Sequence, residues 1–204
     1  MAVTLTTPNT ILGVLEPKTT TERLLSNVAM VLIGTLLITA AAKINVPTWP
    51  VPVTLQSFAV AALAGAFGWR IGTATVIAYL IEGAIGIPVF ATGGGIAYLV
   101  GPTGGFLLGF VPMAYIIGRA ADMGGSSRVL MLTVAMLIAD AVLFALGFSW
   151  LLGLGSTAKW LDQSNLIGSA FAKAVQPFLI WDALKMVFAA LTVTGLFAAF
   201  KKRG

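Results

Sequence analysis

Apolar residues fall in six blocks, separated by short polar or glycine- and proline-rich breaks. The blocks run from about Leu24 to Ile44, Thr54 to Phe67, Ile71 to Ile87, Phe106 to Ala121, Val129 to Leu152 and Leu166 to Phe200. A helix of about 20 apolar residues crosses a hydrocarbon core of about 30 Å. Helices are also one of the few structures that satisfy every backbone group in lipid. The pattern therefore predicts an all-α, multi-pass membrane protein of six transmembrane helices. The second block is short. Its ends need cover from neighbouring protein, or the rigid run Val46-Pro47-Thr48-Trp49-Pro50-Val51-Pro52 before it dips into the membrane.

Composition agrees. Of 204 residues, 58% are hydrophobic and only 9% charged, with a mean hydropathy of +0.99. Soluble domains carry about 25% charged residues. Residues 1–23 are polar and Thr-rich, with Pro8 and Pro17, and lack the apolar core of a signal peptide. They read as a cytoplasmic tail ahead of one membrane domain, 24–204.

The net charge of +5 invites a nucleic-acid reading. The cations instead sit at block ends, which points to topology and away from nucleic acid. Lys18, Arg23, Arg70, Arg119, Arg128, Lys201, Lys202 and Arg203 fall on one side of a six-span layout, and only Lys43 and Lys159 on the other. By the positive-inside rule both termini are cytoplasmic. Trp49, Trp150 and Trp160 fall at the outer boundary and Trp69 at the inner one, as in an aromatic belt. There is no Cys and no His. That removes disulfides, thiolate sites and the commonest general base. No spaced set of metal ligands appears, so neither an enzyme nor a metal or cofactor site is expected.

Charges inside the blocks carry the functional signal, because each is costly in lipid and normally faces protein or a cavity. Measured from the cytoplasmic helix ends, Glu82 sits at about 17 Å, Asp140 at about 18 Å, Lys185 at about 23 Å and Asp182 at about 27 Å. All lie in the outer half, which suggests a cavity opening outward. Asp182 and Lys185 are three residues apart and share a helix face. They either neutralise one another or offer an acceptor and a donor to a ligand. Glu82 lines the cavity or bonds to loop backbone, and Asp140 ties helices together. Lys173, read on the same helix as Asp182, falls on the opposite face.

The segment Gly93-Gly94-Gly95 to Gly101-Pro102-Thr103-Gly104-Gly105 is a glycine-rich connection. Backbone amides there are candidates to hold a carboxylate, with Tyr98, Phe90 and Trp49 as apolar walls. It lacks the Lys-Ser or Lys-Thr of a phosphate loop. In the first block Gly34, Thr35 and Thr39 through Ala42 form a small-residue face, for another membrane protein or for internal packing.

Three runs resemble the BioY family: Val51-Pro52-Val53-Thr54-Leu55-Gln56-Ser57, Gly83 through Ala91, and Tyr98 through Phe106 after the triple glycine. The late Asp182-Ala183-Leu184-Lys185 matches as well. The resemblance implies a biotin-binding S component of an energy-coupling-factor (ECF) transporter in a prokaryotic plasma membrane. Its partners would be a transmembrane coupling subunit and ATP-binding subunits, with self-association left open. It also implies that Asp182 and Lys185 contact biotin, with Tyr98, Gly94 and Gly95 as pocket wall and lid, and Glu82 and Gln56 as further contacts. No ATP-binding motif occurs in this chain, so ATP hydrolysis would fall to a partner. The alternative is an autonomous proton-coupled carrier of small solutes.

Overall fold

The computed structural model describes residues 5–15, 19–155 and 161–202. Lys18, Lys159, Trp160 and Arg203, used above for topology, lie outside them. In chain order the elements are α1 (Ile11–Val14), α2 (Thr20–Lys43), a two-stranded hairpin of β1 (Asn45–Val46) and β2 (Val53–Thr54), α3 (Gln56–Phe67), α4 (Trp69–Ala84), α5 (Ile96–Leu99), α6 (Gly104–Asp122), α7 (Val129–Leu154), α8 (Leu166–Ala174) and α9 (Leu179–Lys201). Four of these helices, α2, α6, α7 and α9, are long and apolar enough to cross a membrane. The second and third apolar blocks form the shorter α3 and α4.

Local chemistry fixes the ends. Thr19 caps α2 by accepting from the Glu22 amide, the Thr-x-x-Glu start of a capping box. Asn165 caps α8 by accepting from the Gly168 amide at 3.1 Å. Before it, the Ser164 hydroxyl and amide both donate to Asp162 Oδ1, and they hold this carboxyl below the ordinary carboxylate range.

The sixth block does not form one helix. It breaks between Ala174 and Leu179, around Pro177. Proline lacks an N–H and disfavours helical geometry in the residue before it. Lys173 therefore ends α8 and is not on the helix of Asp182. The angular relation expected between them does not exist.

Helix α3 is the axis of the bundle, packed against α4, α6 and α9. Gln56, Ser57, Val60, Ala61, Ala64, Gly65 and Phe67 are all buried on it. That enclosure supplies the cover its short length demands. Helices α6 and α7 form the closest pair. A Cβ added to Gly105 would lie 2.2 Å from the Trp150 Cβ, so only glycine permits this approach. On α2 the small residues Gly34, Thr35, Ala41 and Ala42 are buried, while Leu24, Leu25, Leu32, Leu36 and Leu37 are exposed. These small residues serve internal packing, and leucines form the outward face. Such a rim suits lipid better than water.

One end of the bundle carries the hairpin, α5 and α8. The other is closed by α1, which packs on α3 and α9 and buries Ile11 and Leu12. Asp122, at the end of α6, organises this closure. It accepts from the Thr7 hydroxyl at 3.0 Å and the Trp69 amide at 3.3 Å, and its carbonyl accepts from Asn9 Nδ2 at 2.7 Å. Residues 5–15 of the expected tail are thus packed onto the membrane domain. Bonds to a charged group contribute about 1.5–3 kcal/mol each. Asp122→Ala is expected to lower the thermal unfolding midpoint in detergent and to open residues 5–15 to proteolysis, with α2–α9 remaining protected.

Candidate functional site

The site forms where α9 meets the start of α3 at the hairpin end. Asp182 lies in the first turn of α9, and Lys185 follows three residues later on the same face. Lys185 Nζ donates to Asp182 Oδ1 at 3.0 Å, to the Thr54 carbonyl at 2.8 Å and towards Ser57 Oγ at 3.5 Å. The Ser57 hydroxyl donates to the same oxygen of Asp182. All three ammonium hydrogens are thus used, and Asp182 is only 4% exposed. An ion pair this deep persists because neighbouring polar groups satisfy both partners.

Gln56 begins a second network. Its Nε2 donates to the Tyr79 hydroxyl at 2.7 Å, which in turn donates to the Val89 carbonyl at 3.1 Å. The Thr54 hydroxyl donates to Gln56 Oε1 at 3.0 Å. One short run, Thr54 to Ser57, therefore locks the hairpin, α3, α4 and α9 together.

These groups border a cavity of about 540 Å3, its mouth included. Thr54, Gln56, Ser57, Asp182 and Lys185 form its polar side. Phe106, Phe144 and Phe178 form an aromatic side, with ring centroids 6.3–6.5 Å apart. Leu107, Phe110 and Leu143 complete it. At the mouth stand Val51, Pro52, Tyr98 and Thr103. Tyr98 stacks on Phe90 at 5.0 Å, and the Phe90 carbonyl accepts from Lys43 Nζ at 2.6 Å.

Of the residues singled out from the sequence, the structure brings Asp182, Lys185, Gln56 and Tyr98 into one cavity wall. Glu82, Gly94 and Gly95 do not line it. The Gly95 amide donates to the Gly83 carbonyl at 2.6 Å, and Gly94 packs against the Ile87 backbone. These groups shape the connection itself and do not face the cavity. Asp140 is buried on α7, one turn from the cavity residues Leu143 and Phe144, and its Oδ1 accepts no hydrogen bond. Trp49 stands farther out, against a second hollow.

Ser57, Tyr79 and the phenylalanine triad were not singled out. A signal existed for Phe178: it precedes Asp182 by four residues and Lys185 by seven, so the three share one helical face. Ser57 is the polar neighbour of Gln56 in an otherwise apolar block. The Tyr79 bond crosses between helices and has no counterpart in local spacing.

Removing one member of a buried pair costs about 3–5 kcal/mol, while replacing both by apolar residues is often neutral. Lys185→Met is thus expected to destabilise the detergent-solubilised protein more than Asp182→Leu/Lys185→Met together. Thermal unfolding of the two variants measures this.

Comparisons with known proteins agree on one family. The BioY family profile matches residues 15–202. The biotin transporter BioY of Thermotoga maritima is 39% identical over 160 residues, covering 78% of this chain and 88% of its own. The probable biotin transporter BioY of Pyrococcus horikoshii is 34% identical over 165 residues, covering 80% of this chain and 91% of its own. Among solved structures, the S-component for biotin from an ECF-type ABC transporter superposes with a TM-score of 0.73 at 22% identity, over 88% of this chain and 94% of that one. This last likeness shows the shared fold.

Proposed function

The chain belongs to the BioY family, and on that premise we propose that it is a membrane protein that captures biotin for uptake, as the S component of an ECF transporter. The observation that carries the site is the pairing of a phenylalanine-lined wall with the Asp182–Lys185 pair in one cavity. Biotin has a ureido group with two N–H donors and a carbonyl, an apolar thioether ring and a carboxylate tail. Asp182 accepts from a ureido N–H, Lys185 donates to an oxygen by giving up its long 3.5 Å contact to Ser57, and the ring lies among Phe106, Phe144 and Phe178. Charge-assisted bonds of this kind are roughly twice as strong as neutral ones.

The same reading sets the topology. Six helices cross the plasma membrane of a prokaryote: the four long ones together with α3 and α4, whose about 18 Å and about 24 Å are shielded by their neighbours. The hairpin end faces outward and the α1 end faces the cytoplasm, in keeping with Arg70, Arg119, Arg128 and Lys201 at that end. A transmembrane coupling subunit and ATP-binding subunits energise release, since this sequence has no phosphate loop of its own.

Asp140 favours one alternative, an autonomous proton-coupled carrier, because a buried carboxyl with one oxygen not hydrogen-bonded among the described residues is the kind of group that relays protons. Biotin uptake by cells lacking the ATP-binding subunits separates the two. Loss of uptake supports the S component. Uptake that persists and collapses with the proton gradient supports the carrier.

Asp182→Asn and Lys185→Ala are each expected to weaken biotin binding at least tenfold, about 1.4 kcal/mol, with insertion into the membrane unchanged. Isothermal titration of the purified variants measures this. Unchanged affinity in both would remove these residues from the site.

A further inference from the structure

A second hollow lies beyond the mouth of the cavity. Pro47, Trp49 and Pro50 from the hairpin loop face Ala97, Gly101 and Pro102 across it. It encloses about 910 Å3, open mouth included. Pro52, Tyr98 and Thr103 belong to both hollows, so the two are consecutive chambers meeting at these side chains.

The chambers differ in what they recognise. The inner one carries a carboxylate and an ammonium whose hydrogens are already used by Asp182, Thr54 and Ser57. A ligand carboxylate placed there would face the Asp182 charge, and the ammonium beside it is already paired with that carboxylate. A neutral group with N–H donors meets no such repulsion. The outer chamber has no charged side chain among the described residues that line it. Nothing in it demands a free carboxylate or selects against an amide.

We infer that the outer chamber is a subsite for the tail of bound biotin, and that it admits neutral amide-linked extensions of that tail. The inference rests on the biotin reading above. Head-group chemistry sets specificity in the inner chamber, while the tail passes between Pro52, Tyr98 and Thr103 into a space larger than its five-carbon acid fills. The protein then binds biotin amides as well as the free acid.

Isothermal titration of the full chain in detergent at neutral pH tests this with three probes: biotin, biotin butylamide, and biotin methylated on a ureido nitrogen. The amide is expected to bind within about threefold of biotin, and the methylated compound at least tenfold more weakly. Ala97→Trp, which fills the outer chamber from an exposed position, is expected to cost the amide at least tenfold more affinity than it costs biotin. An amide that binds at least tenfold more weakly than biotin to the wild-type protein, with ureido methylation tolerated, would reverse the orientation and overturn the inference alone. Failure of biotin itself to bind would overturn the biotin reading, and the inference with it.

Discussion

The Lys185 ammonium is the junction on which the rest of the structure turns. A cation half-buried in an apolar bundle is stable when its hydrogens are used and its charge is balanced. Here the hydrogens go to the Thr54 carbonyl, Asp182 and Ser57, contributed by the hairpin, α9 and α3. Satisfying one charge thus fixes how the first turn of α9 sits against the start of α3. The aromatic wall follows from that placement, because Phe178 shares the face of Asp182 and its ring meets Phe106 and Phe144. In the proposed function, stability and recognition come from the same few atoms. A ligand that borrows Asp182 or Lys185 borrows part of the packing as well.

A second constraint acts from the glycine-rich connection. Its Gly93, Gly95, Gly101 and Gly104 amides donate to backbone carbonyls, and its Phe90 is held by Lys43 from α2 and braced between Tyr79 and Tyr98. Tyr98 reaches the cavity mouth through this stack. Glycine serves here to let the chain fold back on itself, so that an aromatic side chain stands at the cavity mouth.

Much of this was legible in the sequence, for reasons that differ by element. Long apolar blocks announce α2, α6 and α7 because lipid imposes length and hydropathy together. The break between α8 and α9 was missed, although Gln176 and Pro177 mark it, because apolar residues resume on both sides of it. Asp182 and Lys185 stood out because charge in an apolar block is rare. Glu82 stood out by the same rule and yet does not line the cavity: hydropathy shows that a charge is unusual, not which way its helix turns it. The packing of residues 5–15 depends on Asp122, more than 100 residues distant, and no local pattern encodes such a contact.

The central claim is that the paired charges and the phenylalanine wall together form the biotin site. An experimental structure of this chain with biotin bound tests it most directly. The account predicts the ureido group against Asp182 and Lys185, with the thioether ring among Phe106, Phe144 and Phe178. Biotin seated elsewhere, with the Asp182–Lys185 pair intact and no ligand in this cavity, would contradict it.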